Sequence, residues 1–356
     1  MRKKILISTG GSGGHVVPAT IFYDHLKDNF EVYITSDKRG VQFLNKEKYN
    51  IKIINTPKLS KFFFLLPFQI FLILYLTIKS FFFLKSKKID VLISTGGYMS
   101  LPLCIASKIL NIDIFLFEPN IVLGRVNKLF LSFCKKIFCY SDKIKNFPIK
   151  SINKISIIEA LLRKEFYSIK LSEEINKKIN LLIIGGSQGA EIFDTVVQNS
   201  IIKLSKKYEL KIFQQTNSKN YKKLKNFYTK NNIENELFEF NENILKLMSQ
   251  TNLCITRAGA STLAELTFLN IPYLAIPLSF SKDNHQFENA LFYESQGLSW
   301  LLNQNELNDN TLINKLTNII ENKDDYLVKK KNMKKFRYQN TWNNINQKII
   351  NIINEN

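Results

Sequence analysis

One local unit occurs twice in this chain, and it restricts the fold more than any other feature. An apolar, β-branched run, Ile5-Leu6-Ile7-Ser8-Thr9, stops at Gly10-Gly11-Ser12-Gly13-Gly14-His15, and a helix-like segment follows from Pro18. About half a chain later, Leu181-Leu182-Ile183-Ile184 runs into Gly185-Gly186-Ser187-Gln188-Gly189-Ala190. A strand, a small-residue loop and a helix in that order aim loop amides and a helix N-terminus at one point above a sheet. That point suits anionic oxygen. Glycine is required where backbone rather than side chain approaches the ligand. Two such units predict two nucleotide-binding-type domains facing each other.

The rest of the pattern fits that frame. Strand-length apolar runs over 5–8, 31–35, 51–54, 91–94, 114–118 and 137–140 alternate with helical patterns, which reads as a doubly wound parallel sheet. A lysine-rich stretch from 151 to about 180 reads as the connection, with no clear strand after Ile158. A second series follows, with strands expected over 181–184, 211–215, 237–240, 253–256, 273–276 and 299–302. Helices are expected over 191–208, 261–269, 284–296 and 307–321. The tail, with Trp342 and the spacing of Ile345, Ile349, Ile352 and Ile353, reads as an amphipathic helix packing onto a domain.

Composition narrows the function classes. With 356 residues, 45% hydrophobic and 12% aromatic, the chain is long and apolar enough for two cored domains. A net charge of +20 favours an anionic partner: nucleic acid, an acidic membrane surface or a phosphorylated substrate. No basic motif is interleaved with aromatics, so nucleic acid is not expected. The four cysteines form no CxxC pair and read as buried free thiols. With three histidines, no HExxH and no acidic DxD-type pair at a strand end, neither a protein-bound metal nor a cofactor is expected. Met1-Arg2-Lys3-Lys4 leads straight into a strand without an apolar signal region, so no export is expected.

Residues 62–84 read FFFLLPFQIFLILYLTIKSFFFL, with Lys58, Lys61, Lys79, Lys85, Lys87 and Lys88 around them. The length suits a bilayer span. Spanning is rejected, because strands expected on both sides of the block belong to one sheet. A helix apolar all round has more surface than one sheet covers. The expectation is therefore contact with an anionic membrane through the region from Phe62 to Lys88, and the competing reading is a dimer interface.

Neither glycine loop ends in GK[ST], which excludes a Walker loop. Reading Gly11-x-Gly13-x-x, the third glycine of a dinucleotide fingerprint is Val16. Asp37, just past the second strand, leaves a ribose-holding role open. His15, directly after the glycine loop, is a candidate general base. In the second half Thr256-Arg257-Ala258-Gly259-Ala260-Ser261-Thr262-Leu263-Ala264-Glu265 reads as strand, turn and helix. Its amides suit a diphosphate, and Glu265 suits the two hydroxyls of a ribose. Ser or Thr followed by Glu is also an ordinary N-terminal cap arrangement. Lys282-Asp283-Asn284-His285-Gln286 and Asn289 are polar groups at a helix start that suit sugar hydroxyls.

With GGSGGH, STGGY (94–98), EPN (118–120), GGSQGA, RAGAST-x-x-E and DNHQ-x-x-NA in that order and spacing, nearly the whole chain resembles the MurG family of peptidoglycan glycosyltransferases. The resemblance implies an α/β GT-B fold, two Rossmann-like doubly wound parallel-sheet domains facing across a cleft. It implies an acceptor- and membrane-binding domain over 1–160, a UDP-sugar donor domain over 161–340, and a helix over 341–356 packing back on a domain. The implied reaction is inverting transfer of N-acetylglucosamine from UDP-N-acetylglucosamine to the muramoyl 4-hydroxyl of lipid I, giving lipid II. The implied location is peripheral, at the cytoplasmic face of the inner membrane. Carried over by position, His15 matches the proposed base, and Ser12, Gly13 and Gly14 the loop near the diphosphate and acceptor. Asn120 matches a sugar contact, Arg163 a linker arginine, Ser187 the second-loop serine and Asn241 a uracil-facing position. Ala260, Ser261, Thr262, Leu263, Ala264 and Glu265 match the diphosphate- and ribose-binding turn, and Gln286 a sugar-binding glutamine. The chain departs from the family where Ser12 replaces threonine, where Phe117-Glu118-Pro119-Asn120 replaces His-Glu-Gln-Asn, and where Ala160-Leu161-Leu162-Arg163 replaces Asn-Pro-Val-Arg. Two other readings stay open: another glycolipid synthase of the same fold, such as a diacylglycerol glycosyltransferase, and a non-catalytic nucleotide-sugar-binding membrane scaffold.

Overall fold

The structure, a computed structural model, describes residues 2–45, 47–56, 66–169, 174–175, 178–186, 191–239 and 244–355. The chain divides into two compact units, Met1–Leu162 with Trp342–Asn356, and Arg163–Thr341.

The N-terminal unit is built on strands β1 (Lys4–Ser8), β2 (Glu31–Ser36), β3 (Ile51–Ile53), β4 (Val91–Ser94), β5 (Asp113–Glu118), β6 (Lys136–Cys139) and β7 (Ile155–Ile157). All pair in parallel, in the order β3-β2-β1-β4-β5-β6-β7. Helices α1 (Gly13–Leu26), α2 (Lys38–Val41), α3 (Leu66–Lys87), α4 (Leu101–Ile109) and α5 (Arg125–Phe130) connect them. The central strands are continuous runs of buried β-branched and aliphatic residues because helices cover both sheet faces; Ile5, Leu6 and Ile7 have no exposed surface. β7 lies inside the stretch from 151 to about 180 that the sequence reading took as the connection. Ile155 and Ile157 flank a serine at a sheet edge, too short and too exposed to stand out from their lysine-rich surroundings.

The second unit repeats the plan with β8 (Lys178–Ile184), β9 (Glu209–Gln215), β10 (Glu234–Phe238), β11 (Leu253–Thr256), β12 (Tyr273–Ala275) and β13 (Trp300–Leu301), parallel in the order β10-β9-β8-β11-β12-β13. Its helices are α6 (Phe193–Ser205), α7 (Ser218–Lys230), α8 (Ile244–Met248), α9 (Ala260–Phe268), α10 (His285–Ser295), α11 (Asp309–Glu321) and α12 (Lys323–Tyr338). β10 lies three residues earlier than the expected 237–240 strand, with Phe240 outside the described residues. α7 and α12 were not expected, since they bury few apolar side chains among many lysines.

The last helix, α13 (Trp342–Asn354), belongs to the N-terminal unit. Ile345, Ile349 and Ile353 are buried, and the Trp342 indole stacks on His25 of α1 with ring centroids 3.7 Å apart. Lys348 pairs with Glu159 at 2.6 Å.

Residues 62–65 of the apolar block lie outside the described residues. The rest is α3, whose segment Pro67–Lys87 has mean hydropathy 1.7 and the length to cross a membrane. Thr77, Ser80 and Leu84 turn inward, and α3 packs against α4. Phe68, Phe71, Leu74, Tyr75, Ile78 and Phe82 form an outward stripe, with Phe71 still 69% exposed. Because β3 and β4 belong to one parallel sheet, α3 is a crossover helix with one apolar face uncovered.

Candidate functional site

In each sheet the chain's direction of travel reverses at one gap, between β1 and β4 and between β8 and β11. The loops leaving such strands diverge and open a crevice beyond their carboxyl ends. The first glycine loop lies there, as do Gly185 and Gly186 of the second.

In the N-terminal unit the first loop is held by a carboxylate. Asp37 Oδ1 accepts from the amides of Gly11 and Gly40, both at 2.8 Å, so one side chain clamps the loop and caps α2. Its other oxygen takes Arg39 Nε at 2.9 Å. These bonds overturn the ribose-holding reading of Asp37, whose acceptor oxygens are committed within the fold. Gly10 is dictated by this clamp: its φ is +149°, and a Cβ there would lie 2.6 Å from Asp37 Oδ1. Ser12 is the N-cap of α1, which puts Gly13 and Gly14 in the first turn.

His15, in the same turn, reaches across to the β4 loop, where Nδ1 bonds the Thr95 carbonyl at 2.7 Å. A carbonyl only accepts, so Nδ1 carries the proton and the neutral ring's basic lone pair is on Nε2. Gly96, at φ +89°, lets the imidazole lie close, since a Cβ there would meet His15 Cε1 at 3.4 Å. Beyond β5, Glu118 is buried and holds the next turn. It accepts from Asn120 Nδ2 at 2.9 Å and the Asn120 amide at 3.3 Å, from the Gly124 amide at 2.7 Å, and from Asn127 Nδ2 at 3.0 Å. Burial pushes the Glu118 carboxyl up, and these donors pull it back. Asn120 is thereby fixed on the turn. Asn127, unmarked in the sequence reading, also donates to the Phe117 carbonyl at 2.9 Å. It stands in a short helix without a motif signal, so nothing local could have found it.

In the C-terminal unit an amide does the clamping. Gln215 Oε1 accepts from the Gly185 amide at 3.0 Å, and its Nε2 donates to the Gly186 carbonyl at 2.9 Å. Ser187 and Asn241, both expected at the donor site, lie outside the described residues. After β11 the chain turns into α9, whose N-cap is Gly259 with no side-chain cap. The cap arrangement read for Ser261, Thr262 and Glu265 is therefore not formed. Ser261 and Thr262 are half-buried in the first turn, whereas Ala260, Leu263 and Ala264 pack inward. The first helical bond is Leu263 N–H to Gly259 O, at 3.0 Å. Amides of the first turn are the ones a helix cannot satisfy itself.

Burial raises the half-buried Glu265 carboxyl, and the charge of Arg163 draws it back down. Arg163 also lies over the Phe166 ring at 5.2 Å. Asn289 Nδ2 of α10 donates to the Ala258 carbonyl at 3.1 Å, tying α10 to the turn. Gln286, near the start of α10, accepts from the Leu278 amide at 3.0 Å. Asp283 and Asn284 precede it in left-handed backbone, at φ +52° and +57°. Among the described residues, no three His, Cys, Asp or Glu side chains are grouped to hold a metal ion.

Comparison with known proteins assigns the chain. Residues 5–139 match the glycosyltransferase family 28 N-terminal domain, and residues 180–345 its C-terminal domain. Over all 356 residues, and all of the relative, the chain is 63% identical to the UDP-N-acetylglucosamine–N-acetylmuramyl-(pentapeptide) pyrophosphoryl-undecaprenol N-acetylglucosamine transferase of Pelagibacter ubique. The chain belongs to the MurG glycosyltransferases. A Rickettsia canadensis protein of the same name is 36% identical, covering 90% of this chain and 91% of its own. The crystal structure of the Acinetobacter baumannii MurG superposes with a TM-score of 0.77 at 24% identity, covering 99% of this chain and all of that one. That structure and the Streptomyces glycosyltransferase SsfS6, at TM-score 0.65 and 10% identity, share the GT-B fold.

Proposed function

We propose that this MurG-family enzyme moves N-acetylglucosamine from UDP-N-acetylglucosamine to the 4-hydroxyl of the muramoyl sugar of lipid I, producing lipid II for peptidoglycan. The full-length 63% identity to a relative named for that transfer carries the reading. The N-terminal unit takes the acceptor near Ser12, Gly13, Gly14, His15 and Asn120. The C-terminal unit takes the donor: first-turn amides of α9 on the diphosphate, Glu265 on the ribose, Gln286 on the sugar, with Ser187, Asn241 and Arg163 completing it.

His15 Nε2 takes the proton of the acceptor hydroxyl as its oxygen attacks the anomeric carbon. The bond from that carbon to the phosphate oxygen breaks, UDP keeps the electron pair, and the configuration inverts. Backbone amides and a helix N-terminus meet the negative charge that develops on UDP.

The apolar stripe of α3, with exposed Lys79, Lys85, Lys87 and Lys88, lies against the anionic cytoplasmic surface of the inner membrane. Each lysine there contributes about 1 kcal/mol. In a sedimentation assay the protein pellets with phosphatidylglycerol vesicles and not with phosphatidylcholine ones, and a Phe71→Asp, Phe82→Asp variant stays in the supernatant.

The reaction is tested with purified full-length protein, radiolabelled UDP-N-acetylglucosamine, and lipid I or diacylglycerol. Label in lipid II alone supports the reading. Label in a diacylglycerol glycolipid overturns it, and label in neither product assigns a binding role without turnover.

A further inference from the structure

Beyond the carboxyl ends of β2 and β3 lies a cavity of about 310 Å³, lined by Asp37, Lys38, Arg39, Asn55 and Thr56. It borders the first glycine loop: Arg39 Nη2 stands 4.0 Å from where a Cβ on Gly11 would be. The guanidinium is fixed there, because its Nε and Nη2 both lie 2.9 Å from Asp37 Oδ2. At least three of its five N–H groups stay uncommitted among the described residues. The Lys38 amide donates to Asn55 Oδ1 at 2.9 Å, while the Lys38 ammonium and Asn55 Nδ2 have no partner among the described residues. Thr56 gives its hydroxyl proton to the Met99 carbonyl at 3.3 Å.

The chemistry of the lining selects a charge. Asp37 is its one carboxylate, and both oxygens are taken, by the Gly11 and Gly40 amides and by Arg39. With Lys38 and Arg39 the lining carries one net positive charge, and what its side chains leave uncommitted is chiefly N–H donors. An oxyanion answers both, since its lone pairs meet several donors and its charge meets the cation. Pockets for whole ligands begin at about 300 Å³, so this one suits the end of a chain and not an entire lipid-linked sugar.

Position narrows the oxyanion further. The strand order β3-β2-β1-β4 puts the cavity on one side of β1 and the His15 bond to Thr95 on the other. At the usual strand spacing the two are about 12 Å apart. The acceptor of the proposed transfer carries a diphosphate and a pentapeptide. The diphosphate is bonded to the sugar ring that bears the reacting hydroxyl and stays close to it. An extended peptide covers about 3.3 Å per residue, so about four residues reach the cavity.

We propose that this cavity is a subsite for the acceptor's peptide, with Arg39 and Lys38 pairing a carboxylate near its end and Asn55 donating beside them. This rests on the transfer reading given above. The two cations then determine specificity: they select a charged peptide and take no part in the transfer itself.

The test uses the full-length protein and two lipid I samples, one with its native pentapeptide and one with the peptide carboxylates amidated. Acceptor KM is measured for wild type, for Lys38→Gln, and for the double variant Lys38→Gln, Arg39→Gln. Wild type is expected to show a KM about tenfold lower for the native peptide. The ratio falls to about threefold in Lys38→Gln, because an exposed charge contributes little, and to about one in the double variant. Added salt shrinks the wild-type preference, and donor KM is the same in all three proteins. A wild-type protein with equal KM for both samples overturns the subsite. So does a double variant that keeps the preference; an equal rise of KM for both samples assigns the cations to the diphosphate or to holding Asp37. Lys38 bonds to the fold through its backbone alone, so if the double variant does not fold, the single one decides by the same ratio. A wild-type protein that makes no product from either sample overturns the transfer reading, and the subsite with it.

Discussion

The two glycine loops occupy equivalent places, beyond the first strand of each sheet at its reversal point, yet they are braced by opposite chemistry. In the N-terminal unit the braces are carboxylates: Asp37 holds the first loop and Glu118 holds the turn that carries Asn120. In the C-terminal unit the braces are the amides Gln215 and Asn289. The one carboxylate of the α9 turn, Glu265, is offset by Arg163, and Arg257 adds a buried positive charge. A neutral brace donates and accepts without placing negative charge beside the loop to which the proposed reading gives phosphate. A carboxylate is tolerable where, on the proposed reading, the group to be handled is a sugar hydroxyl and a proton. The contrast teaches that topology sets where a site lies, and that bracing side chains set its sign.

The largest effect is expected from removing the imidazole of the first site. His15→Ala lowers turnover by about 10²–10⁴-fold, the usual contribution of a positioned base. On the proposed reading, which gives the donor to the other unit, UDP-N-acetylglucosamine affinity, measured by calorimetry, stays at the wild-type value. Loss of binding together with turnover refutes the base role.

Next comes the brace itself. Glu118→Ala leaves the amides of Asn120 and Gly124 and the side chains of Asn120 and Asn127 without their acceptor. Urea unfolding is expected to show a loss of about 3 kcal/mol in the N-terminal unit, with the C-terminal transition unmoved. An equal shift of both transitions breaks the two-unit account.

Exchanging the braces sharpens the sign argument. Gln215→Glu keeps the shape and the acceptor for Gly185, gives up the donor to the Gly186 carbonyl, and brings a carboxylate to the second loop. UDP affinity is expected to drop about tenfold while uridine affinity holds. An unchanged UDP affinity shows that the charge of the brace is irrelevant.

The smallest effect is a pH dependence confined to the N-terminal unit. Burial pulls His25, stacked on Trp342, down to about 4 from 6.5. Between those values the unfolded chain binds a proton that the folded chain does not, so stability is full above 6.5 and falls as the solution is acidified towards 4. From about pH 7 to about pH 5.5 the loss is about 1 kcal/mol, read from urea midpoints. His25→Gln is expected to flatten that slope, and an undiminished slope assigns the dependence to other groups.

Much of this architecture is legible along the chain. The glycine loops, the strand runs before them and the RAGAST turn announce themselves because backbone conformation and burial on both faces demand particular residue types locally. β7, α7 and α12 are silent, since edge strands and lysine-rich surface helices need little apolar periodicity. The N-terminus of α9 shows a subtler failure: Ser261, Thr262 and Glu265 match a capping pattern, but the helix starts at Ala260 behind Gly259. Of the candidate site, His15 could be nominated, and the tautomer set by its bond to the Thr95 carbonyl could not.

By itself, then, the amino-acid sequence determined a pair of parallel-sheet units, each with a small-residue loop after its first strand, because those requirements act over a few neighbouring residues. Tertiary structure alone decided that Asp37 braces rather than binds, that Thr95 orients His15, that Gln215 grips Gly185 and Gly186, and that Arg257 is buried with no carboxylate paired to it among the described residues. Each of those partners is distant along the chain or sits in a segment without periodicity, and hydrogen bonds and burial are set by where folding brings groups together.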